Sequence, residues 1–256
     1  MVGDKLQNKL NLNQLRKLSI VSVCYDRWEF LKLALPYFFD QSYPNIEYIF
    51  VIGHNDVAQS KILHATGKDV TIVELVNDMC YRASRFRNIG GRLATGRDIA
   101  FVDCDVWLDK SWCTVVATKL ANMPRGGIVV NDFLLHGRDA GGSTGTLAIS
   151  KWLFERIGHY DESFDTAWGY EDTDIIVRAQ LAGGSIDSYA AKLTSHNSHT
   201  DDLRNKHFVS KEQPRSPAIF LRHLQLAQEN KSVHPFMANI INRVGGIQET
   251  YKVYRV

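Results

Sequence analysis

Strand-like and helix-like segments alternate along residues 18–133, and this alternation limits the possible folds more than any other feature of the sequence. The first strand-like segment, Leu18–Tyr25 (LSIVSVCY), is apolar at both even and odd positions, which is typical of a strand buried on both faces. Similar segments recur at 46–52, 70–76, 99–103 and 127–133. The alternation predicts an α/β domain with a mostly parallel central sheet, whose ligands bind beyond the carboxyl ends of the strands.

The segments between these strands carry helix signals. Asp26, with Glu29 three residues later, predicts a capped helix start directly after the first strand. Residues 81–96 also favour a helix and include four arginines. Charge alone fits a solvated basic face as well as an anion-binding surface. Because this helix leads directly into the strand that ends at Asp103, it can place Arg and Asn side chains beside an anion bound there.

Composition limits the class of protein only mildly. With 256 residues and 45% hydrophobic content, the chain can bury a full core as one domain, with or without an appendage. A net charge of +2 argues against a dedicated nucleic-acid-binding protein. The four cysteines lack C-x-x-C spacing and residues 1–17 lack an apolar run, so neither a disulfide framework nor a signal peptide is indicated. We expect a cytoplasmic protein.

Two carboxylates one residue apart, Asp103 and Asp105, follow the apolar strand that ends in Phe101-Val102. In an extended segment both side chains point to one face, while Cys104 points back to the core. Carboxylate pairs of this kind suit a hard divalent cation such as Mg²⁺ or Mn²⁺, which in turn binds a diphosphate. An Asp-x-Asp at a strand end is also often a solvated turn, so the spacing leaves both interpretations open.

Two later segments carry further polar candidates. Trp168-Gly169-Tyr170 precedes Glu171-Asp172 and a helix-like run, so an apolar platform and a close backbone approach lie beside two carboxylates, as suits a sugar. The alternative is that Asp172 or Thr173 caps that helix. His196 and His199 follow a strand-like segment and are candidates to complete a metal site with Asp105, although a histidine is more often structural.

The order of these pieces resembles the GT-A fold inverting glycosyltransferases. The segments that carry the resemblance span residues 17–200 and read LSIVSVCYDR, QSYPNIEYIFV, RFRNIGGRLATGRDIAFVDCD, GTLAISKWLFERIGHYDESF, WGYEDTDIIVRAQLAGG and LTSHNSH. The chain is similar to the large family 2-like group of bacterial polysaccharide synthases. Its second half also looks like the β1,4-galactosyltransferase and chondroitin-polymerase type.

The resemblance implies a Rossmann-like nucleotide-binding GT-A domain over residues 1–200. It further implies a metal-dependent inverting transferase that moves a hexose or N-acetylhexosamine from a UDP-sugar to a saccharide acceptor, free or lipid-linked. Metal ligands for Mn²⁺ or Mg²⁺ would be Asp105 and His196, and Asp172 would be the catalytic base. Trp168, Gly169, Tyr170 and Glu171 would contact the acceptor. The residues implied for the nucleotide sugar are Tyr25, Arg27, Arg87, Asn88, Asp103, Cys104 and Gly145.

The implied mechanism follows from charge. The departing diphosphate requires positive charge, which Arg87 and the metal would supply. Asp172, at a helix start, would be kept ionised by the helix dipole. One departure from the family is the end of the second strand, where Gly53-His54-Asn55-Asp56 replaces the usual Asp-rich turn that contacts the nucleobase, so Asn55 or Asp78 is considered as a substitute.

Residues 201–256 lie outside the resemblance and are predicted to form a helical extension packed on the GT-A domain. Two amphipathic segments, 216–227 and 234–244, carry basic residues and fit either a packing appendage or a peripheral contact with the inner face of a membrane. Two other classes stay open for the whole chain: a nucleotidyltransferase that forms sugar nucleotides, and a binding-only relative. The first usually needs a glycine- and basic-rich loop after the first strand, where this chain has VCYDRWEF.

Overall fold

A computed structural model describes residues 15–132 except 77 and 79, and residues 145–166, 169–197 and 251–255. Within these residues, eight strands form a mixed sheet in the order β10-β3-β2-β1-β4-β7-β6-β8, and two further strands, β5 and β9, form a small antiparallel sheet. The strands are β1 Leu18–Tyr25, β2 Ile46–Gly53, β3 Val70–Leu75, β4 Asp98–Phe101, β5 Val106–Leu108, β6 Gly127–Asn131, β7 Leu147–Ser150, β8 Ser185–Tyr189, β9 Thr194–His196 and β10 Tyr251–Arg255.

Helices cover both faces of the main sheet. They are α1 Trp28–Phe39, α2 Ala83–Leu93, α3 Trp112–Ala121, α4 Lys151–Arg156 and α5 Glu171–Leu181, with 3₁₀ segments at His54–Thr66, Glu162–Thr166 and Ala191–Leu193. Apolar residues of α1 and α3 belong to one core cluster, and those of α2, α4 and α5 to the other. None of the helices among the described residues is long and apolar enough to cross a membrane.

β1 is buried along its whole length and feeds both core clusters. Its side chains alternate between the two faces, as the period of a strand requires. Leu18, Ile20 and Cys24 join the cluster beneath α1 and α3, whereas Val21, Val23 and Tyr25 join the cluster beneath α2. The predicted central strand is therefore confirmed, together with the α/β class and the mostly parallel sheet.

The parallel strands define where a ligand can enter. β1 pairs in parallel with β2 on one side and with β4 on the other, so the strand order reverses at β1. In open α/β sheets the crevice beyond the carboxyl ends at such a reversal is the usual ligand site. β4 ends at Phe101, so the turn containing Asp103 and Asp105 lies beside the end of β1.

Two helices are capped by carboxylates from distant parts of the chain. Asp56 accepts hydrogen bonds from the backbone amides of Arg27 (2.7 Å) and Trp28 (3.1 Å) at the start of α1. The prediction that Asp26 caps this helix is wrong, because Asp26 adopts a left-handed conformation (φ 55°) before the helix begins. Asp165 accepts in the same way from Ser84 (2.8 Å) and Arg85 (3.0 Å) at the start of α2.

The last described residues add a strand to the sheet edge. β10 pairs antiparallel with β3, from Tyr251 opposite Leu75 to Arg255 opposite Thr71. The end of the predicted C-terminal extension is thus a strand that completes the sheet. The two amphipathic segments predicted at 216–227 and 234–244 lie outside the described residues, and the division of the chain at residue 200 stays a prediction.

Candidate active site

The small sheet brings His196 close to the turn that contains Asp103 and Asp105, which we call the carboxylate turn. β5 pairs antiparallel with β9 so that Val106 lies opposite His196, and the backbone amide of Asn197 donates to the Asp105 carbonyl (2.9 Å). As a result, His196 Nε2 lies 3.3 Å from Asp105 Oδ1. The sequence predicted these two residues as partners, and the pairing of β5 with β9 supplies the physical reason for their proximity.

Asp103 and Asp105 lie in a turn, not in an extended strand. β4 ends before them, and the amide of Val106 donates back to the Asp103 carbonyl (3.1 Å). Their carboxylates therefore meet different partners: Asp103 contacts Arg87 and Asp105 contacts Arg27 and His196. Cys104 between them is 4% exposed and packs in the core, as predicted for its side chain, and its assignment to nucleotide-sugar binding stays a prediction.

The pair formed by Asp105 and His196 fits a divalent cation. Adjacent ligands of a six-coordinate ion with bonds of about 2.1 Å lie about 3.0 Å apart, close to the observed 3.3 Å between the carboxylate oxygen and the imidazole nitrogen. The Asp105 side chain is also nearly inaccessible, so its negative charge requires a nearby cation. In the described part of the chain no three His, Cys, Asp or Glu side chains converge into a complete metal site.

The Arg87 guanidinium contacts three carboxylates, and we call this cluster the Arg87 hub. The guanidinium lies 3.0 Å from Asp103, 3.1 Å from Glu171 and 3.2 Å from Asp172, so it joins the carboxylate turn to the start of α5. Burial alone would lower the pKa of Arg87, but Asp172, Tyr160 and Asp103 raise it well above its usual range. The sequence interpretation placed Arg87 against the donor diphosphate. The structure instead commits its buried guanidinium to three carboxylates.

Tyr160 packs against the Arg87 guanidinium, and Asn88 holds Tyr160 in place. The Arg87 guanidinium lies over the Tyr160 ring at 5.3 Å, and that ring is fully buried. Asn88 exchanges hydrogen bonds with the Tyr160 backbone and also donates to Glu162 (2.9 Å). Asn88 is fully buried and its side-chain amide positions Tyr160, while its contact with the nucleotide sugar stays a prediction.

Asp172 lies in the first turn of α5 and faces Arg87. Burial raises the pKa of Asp172 well above its usual range; Arg87 opposes the rise, whereas Glu171 and Asp103 add to it. The expectation that the helix dipole keeps this carboxylate ionised is therefore incomplete, because burial dominates and Arg87 supplies the main opposing charge. The alternative that Asp172 is a simple helix cap is also set aside, since Tyr170 occupies the N-cap position with φ 72°.

Gly145 packs directly against the carboxylate of Asp103. A Cβ at this position would lie 2.1 Å from Asp103 Oδ2, far closer than two unbonded atoms can approach. The glycine therefore makes room for Asp103 in the orientation that pairs with Arg87. The sequence interpretation assigned Gly145 to the donor site, and this contact is the structural reason why a larger residue does not fit.

A second set of polar groups follows β1 and β2. Tyr25 and Gly53 are register partners, so Asp26 and His54 leave the sheet side by side, both with positive φ, and their side chains pair at 3.6 Å. Tyr25 itself is only 3% exposed, and its ring packs against His54 and Phe86. Tyr25 is therefore not an open stacking platform for a base, and His54 is the more exposed member of the pair that it forms with Asp26.

Some predicted site residues are not described. Trp168 and His199 lie outside the described residues, as does the side chain of Asn55. Asp78, considered as a substitute for base recognition, accepts a hydrogen bond from the Tyr25 hydroxyl through its backbone carbonyl (2.8 Å). Gly169, at φ 93°, leads into the exposed Tyr170, so the chain turns sharply just before Glu171, within the segment predicted to contact an acceptor.

Three residues that position the site were not singled out in the sequence: Asp56, Asp165 and Tyr160. Asp56 fixes the backbone of Arg27, and Asp165 fixes the start of the helix that carries Arg87. Only a capping signal could have suggested the two acids, and that signal usually appears within a few residues of the helix it caps. The buried Tyr160 ring carries no local signal at all.

Two family models match the chain. The model described as glycosyl transferase family 2 matches residues 19–136, and the model described as N-terminal domain of galactosyltransferase matches residues 127–202. Together they run across β1, the carboxylate turn, the start of α5 and His196. No curated protein sequence matches the chain.

Solved structures with the same fold include one protein from Pyrobaculum calidifontis and one from S. aureus. The mannosyltransferase PcManGT from Pyrobaculum calidifontis, in complex with GDP-Man and Mn²⁺, is similar with a TM-score of 0.62 at 16% identity, over 93% of this chain and 78% of that one. S. aureus TarS 1-349 gives a TM-score of 0.57 at 16% identity over 70% of this chain, and its complex with UDP-GlcNAc gives 0.58 at 16% identity over 72%. The chain spans 59% and 60% of the two TarS chains.

The fold and the two family matches agree with the resemblance drawn from the sequence. The protein is a glycosyltransferase with the GT-A fold.

Proposed function

We propose that the protein is a metal-dependent, inverting glycosyltransferase that moves a hexose or N-acetylhexosamine from a UDP-sugar to a saccharide acceptor. The observation that carries this proposal is the Arg87 hub. It joins Asp103 in the carboxylate turn to Glu171 and Asp172 in the segment assigned to the acceptor. One buried cation thus links the donor side of the site to the residue assigned as base.

Donor binding is proposed at the reversal of strand order. Asp105 and His196 would hold Mn²⁺ or Mg²⁺, which when bound offsets the charge of a diphosphate. The PcManGT structure is a complex with GDP-Man and Mn²⁺, and one TarS structure is a complex with UDP-GlcNAc, which supports a sugar-nucleotide donor. The match to a galactosyltransferase model supports UDP over other nucleotides.

Proton transfer is assigned to Asp172. The acceptor hydroxyl oxygen attacks the anomeric carbon, its proton passes to the Asp172 carboxylate, and the bond from the anomeric carbon to the phosphate oxygen breaks. The electron pair of that bond leaves with the diphosphate. A carboxylate with a raised pKa is a stronger base than an ordinary one, and Arg87 favours its ionised form before the acceptor arrives.

Acceptor contacts are proposed for the start of α5. The Glu171 side chain is 13% exposed, and Tyr170 is exposed enough to pack on the apolar face of a sugar ring. Gly169 and Trp168 precede them in the same segment. We place the reaction in the cytoplasm, with an acceptor that is free or lipid-linked at the inner face of the membrane.

A transfer assay tests this function. The purified full-length protein is incubated with a panel of UDP-, GDP- and CDP-sugars, Mn²⁺ and a mixture of oligosaccharide and glycolipid acceptors, and the product linkage is determined by NMR. We expect transfer only from a UDP-sugar, only with the divalent ion, and with inverted anomeric configuration. A product with retained configuration, or GDP or CDP outcompeting UDP by tenfold (about 1.4 kcal/mol), would overturn the assignment.

A further inference from the structure

We propose that, in the enzyme without metal, the Arg27 guanidinium pairs with Asp105 and neutralises the carboxylate that the metal would otherwise neutralise. When metal and nucleotide bind, the Arg27 guanidinium moves to the donor diphosphate. The inference rests on the proposed function, because it requires a divalent ion at Asp105 and His196. It gives Arg27 two successive roles: its guanidinium first competes with the metal for Asp105 and then stabilises the leaving diphosphate.

The two oxygens of the Asp105 carboxylate face different groups. Oδ1 lies 3.3 Å from His196 Nε2, and Oδ2 lies 3.3 Å from Arg27 Nη1. The Asp105 side chain is 2% exposed, so burying its charge is unfavourable without a cation close by. Arg27 supplies that cation in the structure.

The backbone of Arg27 is held in place, whereas its guanidinium lies at the end of a flexible, partly exposed side chain. Its amide is held by Asp56 at 2.7 Å, and it directly precedes α1. Its side chain is 21% exposed, unlike that of Asp105, and an arginine stem has several rotatable bonds. The exchange therefore requires only a rotation of the Arg27 side chain about a fixed backbone.

Electrostatics supply the reason for the exchange. A divalent ion bound between Asp105 and His196 would lie close to the Arg27 guanidinium, and the two positive groups repel each other. A diphosphate bound to the same ion offers oxygens that match the planar fork of arginine. Arg87 is not suited to this task, since its buried guanidinium already contacts Asp103, Glu171 and Asp172.

Binding measurements on the full-length protein test the exchange without an activity assay. Mn²⁺ affinity is measured by the loss of the free Mn²⁺ EPR signal on metal-stripped, nucleotide-free protein, and UDP affinity is measured by calorimetry at saturating Mn²⁺. Arg27→Met removes the charge and Arg27→Lys keeps it. Lys119→Met, which removes a charge paired with Asp187 on the edge strand β8, is the matched control, and Asp105→Asn tests the metal site itself.

We expect Arg27→Met to bind Mn²⁺ alone about tenfold more tightly than the wild type, and UDP with Mn²⁺ about tenfold more weakly. Arg27→Lys should stay near the wild type in Mn²⁺ affinity, and Lys119→Met should match the wild type in both. If Asp105→Asn weakens Mn²⁺ binding but Arg27→Met leaves it unchanged or weaker, the proposed exchange is overturned and the metal site is not. Wild-type Mn²⁺ affinity in Asp105→Asn overturns both the exchange and the metal site of the proposed function.

Discussion

The guanidinium of Arg87 lies 3.2 Å from the carboxylate of Asp172, and both side chains are almost completely buried. Two opposing effects therefore set the charge of Asp172: burial and the neighbouring carboxylates raise its pKa, while Arg87 lowers it. If Asp172 is the base, the activity of the enzyme depends on which effect prevails at the working pH.

The pH profile should show the raised pKa of Asp172. Only the deprotonated carboxylate accepts a proton, so kcat should rise with pH through a value above the usual range for aspartate. Glu171→Gln removes a negative charge that raises this pKa, so its acid limb should move to lower pH than that of the wild type. The direction of this shift is checked by measuring kcat against pH for both proteins at saturating donor and Mn²⁺. An acid limb that stays in place or moves upward in Glu171→Gln would contradict the assignment.

Gly145→Ala should damage donor binding while leaving the fold intact. The added Cβ would meet the end of the Asp103 side chain, which must turn away and lose its contact with Arg87. We expect UDP affinity at saturating Mn²⁺ to fall about tenfold. Gly67→Ala is a suitable control, since Gly67 has a positive φ but nothing near its Cβ position. It should lower thermal stability slightly and leave UDP binding unchanged.

His54 is expected to contact the nucleobase side of the donor. It leaves the sheet beside Asp26, in the place where the family resemblance implies an Asp-rich turn, and its ring packs on the buried Tyr25. His54→Ala should weaken UDP binding several-fold but leave the binding of inorganic pyrophosphate with Mn²⁺ unchanged. Equal losses for both ligands would show that His54 acts on the diphosphate or on the fold.

Glu47 is predicted to stabilise the fold in a pH-dependent way. Burial alone would raise its pKa, but hydrogen bonds from Lys17, Ser19 and Thr95 lower it to about 2. Because the folded-state pKa lies below the ordinary value of 4.5, the stabilisation is complete above pH 4.5 and is lost as the pH falls toward 2. Glu47→Gln should reduce the free energy of unfolding by about 2–3 kcal/mol at neutral pH. Urea denaturation at pH 7 and pH 3 measures this, and a difference that does not shrink at pH 3 would contradict it.

Much of the fold follows from local patterns, but several site roles do not. β1 and the following strands begin and end close to the predicted limits because continuous apolar runs specify buried parallel strands. The residue types of Asp105 and His196 suggest a shared metal site, but no local pattern pairs β5 with β9, so the sequence does not show what brings them together. The resemblance assigns Tyr25 and Asn88 to the nucleotide sugar by their places in the family's motifs. Tertiary packing decides that both are buried.

The two capping acids illustrate the same limit. Asp26 has the right residue type and spacing for a helix cap, yet its backbone is left-handed and Asp56 takes the role. Such long-range caps depend on how β2 is placed beside β1, which a local reading of the sequence does not show. Arg87 was found by its position before the carboxylate turn, but its three carboxylate partners emerge only when α5 is folded against α2.

Asp172→Asn tests the central claim most directly, when turnover and donor affinity are measured on the same preparation. Asparagine keeps the shape but cannot accept the acceptor's proton, so kcat should fall by roughly 10²–10⁴-fold while the Kd for the UDP-sugar with Mn²⁺ stays nearly unchanged. Glu171→Gln, which removes the other carboxylate beside Arg87 Nη1, is the matched variant and should act mainly on the KM for the acceptor. Near-normal turnover in Asp172→Asn together with an inactive Glu171→Gln would assign the base to Glu171 and contradict the account.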